Sequence, residues 1–331
     1  MKRTFYLFSN GELKRKDNTI YFETENGEKR FLPVEDISEI MAFGEVSLNK
    51  RLLEFLSQSE IIVHYFNYYG YYMGTFYPRE HMNSGYMTLR QAEHYLDDSK
   101  RLDLAKRFVK GAADNMLRVV KYYEKREKDI SNVREEIERR RADISDCDNG
   151  ETLMAIEGNV RNTYYEAFDA IVGQPAFAFE SRTRRPPRNY MNTLISFGNS
   201  MMYSVVLSQI YRTHLDPRIG YLHATNFRRF TLNLDVAEIF KPIIVDRIIF
   251  TLLGRRQLSE NDFVKGTEGV VMKENARKMF VEEFDQKLQT TQNYKSLNRQ
   301  VSYRHLIRLE LYKLEKHLMG EKQYDPYVAA W

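Results

Sequence analysis

The spacing of apolar residues changes once along this chain, close to Pro78, and that change limits the fold more than any single motif does. Before it, "RTFYLF", "TIYFETE", "KRFLP", "SEIMAF", "IIVHYFN" and "YYMGTFYP" are short runs rich in aromatic and β-branched residues. Such side chains pack well on a pleated surface, so the runs predict strands. "SNGE" and "ENGE" between them read as hairpin turns, because Asn-Gly accepts the positive φ angles those turns need. "LNKRLLEFLSQS", from Leu48 to Ser59, has helical spacing and is the one helix expected in this part. The stretch "REHMNSGYMTLRQ" lacks a period, and from about Glu93 the apolar spacing is helical almost to the end. The expected fold class is α+β. A small N-terminal mostly-β domain, a sandwich or roll over residues 1–80, is joined by a hinge at 81–92 to a larger all-α domain at 93–331.

Composition narrows the class. Hydrophobic residues at 43% and charged residues at 29% describe an ordinary globular chain, not a disordered one. The formal net charge is only +4, so any basic patch is local. The one cysteine, Cys147, excludes an internal disulfide and a cysteine metal cluster. The N-terminal run is too short in apolar residues for a signal peptide. The most apolar segment, "IIVDRIIFTLL", is broken by Asp246 and Arg247, which argues against a membrane span. A reduced, cytoplasmic protein is expected. "KYYEKREKDISNVREEIERRR" interleaves opposite charges and reads as a solvated helix face.

A few polar side chains sit badly in this apolar background. Glu157 borders the apolar face of "ETLMAIEGNVRNTYYEAF", and Gly158 follows it, a mid-helix glycine that costs roughly 1 kcal/mol relative to alanine. That cost is tolerable where another backbone or a substrate must approach closely. His223 follows a turn, and Asp235 and Glu238 share a helix face one turn apart. Ordinary readings stand beside a functional one: "DVAE" as a capping box, His223 as a satisfied histidine, Glu157 paired with Arg161. Two carboxylates and an imidazole, if they converge, suit Mg²⁺ or Mn²⁺ better than zinc or iron. Arg182, Arg184, Arg185 and Arg188 lie in one Pro-stiffened loop, with Arg228 and Arg229 just after His223, and Arg255 and Arg256 further on. Arginine forks match phosphate oxygens, so a phosphodiester substrate is the chemistry these residues point to. Solvated surface arginines are the plain alternative.

Three blocks together carry a resemblance: "AIEGNVRNTYYEAF", "RRPPRNYMNTLISFGNSMMY" and "IGYLHATNFRRFTLNLDVAEIFKPIIVDRIIF". With the preceding "HYFNYYGYYMGTFYP" they resemble, over nearly the whole chain, the CRISPR-associated integrase family, in versions attached to type I systems. The family is the larger of the two core proteins that insert new spacers into CRISPR arrays. The resemblance implies a metal-dependent DNA integrase and endonuclease with Mg²⁺ or Mn²⁺ as cofactor. Its metal ligands fall on Glu157, His223 and Glu238, with Asp235 as a helper and Asn192 as an outer supporting residue. Many members have Asp where Glu238 stands. The implied partners are a double-stranded DNA fragment, the CRISPR repeat, a second copy of the chain bound through the β domain, and the small second adaptation protein. Arg182, Arg184, Arg185, Arg188, Arg228 and Arg229 are expected to hold DNA backbone. Two rivals remain: a structure-specific nuclease with water as nucleophile, and a non-catalytic nucleic-acid scaffold whose acids only cap helices.

Overall fold

The structure is a computed structural model that describes the chain except Met1, Glu80, His81, Asn83, residues 226–229, Glu268 and residues 295–297. It divides into two compact units, Met1–His81 and Met82–Trp331.

Among its described residues the first unit holds eight strands and one α-helix, with a short 3-10 turn at Val34–Asp36: β1 (Arg3–Leu7), β2 (Gly11–Lys16), β3 (Thr19–Thr24), β4 (Lys29–Pro33), β5 (Ile37–Ala42), β6 (Val46–Ser47), α1 (Lys50–Gln58), β7 (Ile62–Phe66) and β8 (Tyr72–Phe76). They form two four-stranded sheets, ordered β1-β5-β7-β8 and β4-β3-β2-β6. Alternating residues of both sheets meet in one core with the helix: Leu7, Ile40 and Val63, then Leu13, Ile20 and Leu32, then Leu52 and Leu56. Each fully buried aliphatic side chain contributes about 1.5–3 kcal/mol. The helix expected over Leu48–Ser59 starts at an Asn49 cap whose side chain accepts from the Leu52 amide. It forms the crossover between the parallel strands β5 and β7.

"ENGE" does close a hairpin, β3 to β4, with Gly27 at φ +82°. "SNGE" does not. It carries the chain from one sheet to the other, and the hairpin lies one strand later, at Asp17-Asn18 between β2 and β3. Asp17 takes the positive φ there, at +53°. The charged β2, "GELKRK", hid its strand because only Leu13 in it is buried.

The second unit comprises α2 (Gly85–Leu96), α3 (Asp98–Glu124), α4 (Ser131–Asp146), α5 (Gly150–Val172), α6 (Tyr190–Ile210), α7 (Leu232–Phe240), α8 (Arg247–Gly254), α9 (Glu274–Gln289) and α10 (Tyr303–Leu318). Two findings correct the sequence expectation. Most of the supposed hinge is helix, since α2 begins at a Ser84 cap within 81–92. Its buried face is Met87, Gln91 and His94, and two polar residues of three erase the apolar period. Gln91 is buried because its amide serves the Asp216 backbone on both sides, at 3.1 Å and 2.7 Å. The unit is also not all-α. Two antiparallel hairpins are set into it, β9 (Phe263–Gly266) with β10 (Gly269–Met272) and β11 (Thr291–Tyr294) with β12 (Arg299–Ser302). The charged segment 121–141 does lie in ion pairs, such as Arg134 with Glu138 at 3.0 Å. A turn with Glu127 at φ +62° breaks it into the end of α3 and the start of α4.

α6 runs through the centre. Of its residues only Tyr203 is not fully buried. α7 is followed by a π-helical turn, Pro242–Asp246, that leads into α8. Pro242 has no N–H to give the preceding turn, and the Asp246 amide reaches back five residues to the Lys241 carbonyl at 3.1 Å. Among the described residues no helix is long and apolar enough to cross a membrane.

Candidate active site

Helix α5 places Glu157 and Arg161 one turn apart, with Arg161 Nε 3.6 Å from Glu157 Oε1. The same guanidinium reaches across to α7, where its Nη2 donates to Glu238 Oε2 in a very short contact. Lys241, one turn beyond Glu238, donates Nζ to the other oxygen, Oε1. Glu238 is thus buried between two cations. Burial alone would push its carboxyl up, but the charges of Lys241 and Arg161 prevail and hold it well below the usual carboxylate range. Lys241 also donates to the Tyr203 hydroxyl at 3.1 Å.

Asp235 is not a helix cap. α7 begins after Thr231, and Asp235 lies inside its first turn with no exposed surface. Its carboxylate instead organises the loop before the helix. Oδ2 accepts from the amides of Tyr221 (2.6 Å) and Leu222 (3.0 Å), and Oδ1 from the His223 amide at 2.9 Å. Oδ1 also accepts from His223 Nδ1 at 2.8 Å. Gly220 is needed for this packing, because a Cβ there would stand 2.9 Å from Asp235 Oδ2. Desolvation lowers the His223 pKa, but the Asp235 hydrogen bond and charge, with Glu238, leave it raised. With Nδ1–H given to a carboxylate, the neutral imidazole presents Nε2 as its lone pair, the arrangement of a metal-ligating histidine.

The expected ligands therefore stand in two linked groups: Glu157 and Glu238 on one guanidinium, His223 on Asp235. Among the described residues, no three His, Cys, Asp or Glu side chains are placed as a finished metal site. Here Arg161 and Lys241 supply the positive charge that a divalent ion would bring. The donor chemistry still fits such an ion: two carboxylates and one imidazole nitrogen suit Mg²⁺ or Mn²⁺. The ordinary pairing of Glu157 with Arg161 is also present, so both readings of Glu157 meet in the same contact.

The arginine loop divides. Arg184, Arg185 and Arg188 are exposed. Arg182 turns inward, donating to Asn192 Oδ1 at 2.8 Å and to Ser196 Oγ at 3.1 Å. Asn192 is fully buried, accepts from the Thr183 amide and donates to the Ser181 carbonyl at 2.7 Å. Arg182 and Asn192 are bonded to one another and to the loop backbone, and so hold the loop's shape. Arg228 and Arg229 lie outside the described residues. Arg255 and Arg256 are exposed, with Arg255 3.9 Å from Glu283. Sequence reasoning missed Lys241, Tyr203 and the bridging part of Arg161. A lysine three residues after Glu238, inside the apolar "EIFKPII", was the available signal.

A strand-rich unit followed by a helical unit with these acids and this histidine defines a class, and comparison with known proteins gives its family. Residues 5–286 match the model for CRISPR associated protein Cas1, and the chain belongs to that family. It is 58% identical to CRISPR-associated endonuclease Cas1 2 of Thermodesulfovibrio yellowstonii, over 100% of both chains. The solved structure of a Cas1 protein from Thermotoga maritima superposes with a TM-score of 0.90 at 49% identity, covering 98% of this chain and 99% of that one. A casposase bound to integration product shares the fold at 20% identity, with a TM-score of 0.88 over 98% of this chain and 93% of that one.

Proposed function

We propose that this protein is a divalent-metal-dependent DNA integrase. It joins the 3′-hydroxyl of a short double-stranded fragment to a phosphodiester at the edge of a CRISPR repeat. Where water replaces that hydroxyl, the same site cuts DNA, and the endonuclease name of the 58%-identical relative favours this second activity. The observation that carries the reading is the shared guanidinium, Arg161, which gathers Glu157 and Glu238 from two helices. Family membership supports the same chemistry.

Glu157, His223 Nε2 and Glu238 would hold Mg²⁺ or Mn²⁺, which when bound polarises the scissile phosphate and stabilises charge on the attacking or leaving oxygen. Asp235 fixes the tautomer and plane of His223. Arg161 and Lys241, freed from Glu238, leave two positive charges beside an anionic substrate. Arg184, Arg185 and Arg188, with Arg228 and Arg229, position DNA backbone without reading sequence. Exchange of one phosphodiester for another needs no external energy source, only a well-placed hydroxyl. The working assembly in this reading is two homodimers, each joined through the first unit, bridged by a dimer of the small second adaptation protein.

The test uses the protein with that partner, Mn²⁺ or Mg²⁺ and a supercoiled plasmid bearing the repeat. A labelled fragment should become covalently joined, a fragment ending in a 3′-deoxy sugar should not, and Glu238→Ala should abolish joining. Equal nicking with either fragment and no joining would assign water as the nucleophile and leave only the nuclease.

A further inference from the structure

Three glycines lie well inside long helices: Gly111 in α3, Gly158 in α5 and Gly198 in α6. Glycine destabilises a helix interior relative to alanine, so each position calls for a reason. Two have internal ones. A Cβ at Gly111 would stand 2.6 Å from Pro326 Cβ, and one at Gly198 would run into Val245 Cγ1 and come within 2.9 Å of Phe280. At Gly158, among the described residues, nothing lies within 4 Å of where the Cβ would be.

The bare position is not on an arbitrary face. Gly158 follows Glu157 directly, and Glu157 keeps 19% of its side chain exposed. Met154 and Ala155, one turn before, and Asn162, one turn after, are exposed on the same side of α5. Replacing Gly158 by alanine would meet no neighbour among the described residues and would favour the helix, so those residues give no reason to keep a glycine there. The remaining reason is an external body that must touch the helix backbone.

We infer that Gly158 keeps α5 bare so that a DNA strand lies directly against the helix backbone beside Glu157. This rests on the DNA strand-transfer or nuclease reading above and adds to it the face by which the strand enters. Without a Cβ, strand atoms come closer to the helix by about 1.5 Å, one C–C bond. A displacement of about 1 Å at a reacting phosphate costs on the order of a hundredfold in rate. Gly158 is a positioning residue, since it carries no group that reacts.

The inference predicts that stability and substrate binding move in opposite directions. In the full chain, Gly158→Ala should melt about 2–4 °C higher than wild type. Its affinity for a labelled duplex should nevertheless fall, and Gly158→Leu should bind at least tenfold more weakly, with Mn²⁺ affinity within twofold of wild type in both. Ala170→Leu places the same side chain at another exposed position of α5 and should bind DNA as wild type does. A wild type that joins and nicks DNA, with Gly158→Leu equally active and equally tight, overturns this inference and leaves the function standing. A wild type that neither joins nor nicks DNA removes the function and this inference with it. A Gly158→Ala protein that melts lower also overturns it, because a part of the chain itself would then fill the space.

Discussion

Arg161→Gln tests the charge balance of the site directly. The arginine is 7% exposed and bridges Glu157 and Glu238. Removing one partner of a buried ion pair costs about 3–5 kcal/mol, because the other charge is left in a poor solvent. Lys241 stays on Glu238 and Glu157 is partly exposed, which sets the expectation at the lower end, about 3 kcal/mol. At about 2–4 °C per kcal/mol for a unit of this size, the melting temperature in chelator should fall by about 6–12 °C. Mn²⁺ should then restore more in the variant than it adds to wild type. In wild type an ion must displace a guanidinium from Glu238, and in Arg161→Gln it meets a carboxylate already short of positive charge. Melting curves in EDTA and in Mn²⁺, with Mn²⁺ binding followed by electron paramagnetic resonance, read both effects. We expect at least tenfold tighter Mn²⁺ binding in the variant, equivalent to about 1.4 kcal/mol. Equal Mn²⁺-induced shifts in the two proteins would refute the reasoning, because Glu157 and Glu238 would not then be what the ion engages. No loss of stability in chelator would show that Glu238 does not depend on Arg161.

Asp235→Asn keeps the volume but cannot accept at both oxygens. It should loosen the 221–223 turn and weaken Mn²⁺ binding by about 10–100-fold, measured by titration calorimetry, with an unchanged affinity removing Asp235 from the site. Replacing Arg184 and Arg185 by alanine should weaken binding to all duplexes alike and flatten the salt dependence by roughly one unit of slope per lost phosphate contact. Arg182→Ala should instead lower the melting temperature, since its partners are Asn192 and Ser196. A truncated chain starting at Met82, which spares α2, should sediment as a monomer; a stable dimer would rule out dimerisation through the first unit. Burial, helped by Arg247, pulls Lys287 down to about 8. Between that value and the unfolded one the unfolded chain binds more protons, so this lysine should make stability rise by on the order of 1 kcal/mol from pH 7 to pH 9. Denaturant titrations of Lys287→Met should lose that rise, and an unchanged slope would place its origin elsewhere.

What the sequence disclosed followed from apolar side chains with a clear period, and what it hid followed from polar groups satisfied at a distance. Strands such as β5 and β7 declare themselves through Ile37, Ile40 and Met41 and through Ile62, Val63 and Phe66, although Glu39 and His64 are buried among them. α2 was obscured because Gln91 is buried on a backbone 125 residues away. β2 was obscured because a charged strand with one buried leucine does not alternate visibly. At the site, Glu157, His223, Asp235 and Glu238 were legible as residue types that an apolar background does not readily accept. Which of them touches which was not, since the joining residues come from contacts such as Arg161 to Glu238, 77 positions apart. Arg182 and Arg184 are indistinguishable in sequence. One is half-buried on Asn192 and the other exposed, and only the folded loop separates them.

The same contacts explain how so polar a centre persists within an apolar one. Arg161 and Lys241 face Glu157 and Glu238, so this group of four is near balance without any ion. Asp246, on the π-helical turn, is the group left over. Burial raises its carboxyl to about 6, against the pull of Arg161, Lys241 and Tyr164. A divalent ion added to a balanced group creates a positive excess in a poorly solvated place. An anionic phosphodiester would relieve that excess. In the proposed reading, ion and DNA would each improve the setting for the other, and linkage would require the coupling to be equal in both directions. In that reading, a site held near neutral by its own cations in the absence of DNA would be completed by an ion and a phosphate together, which would keep its carboxylates tolerable at every stage.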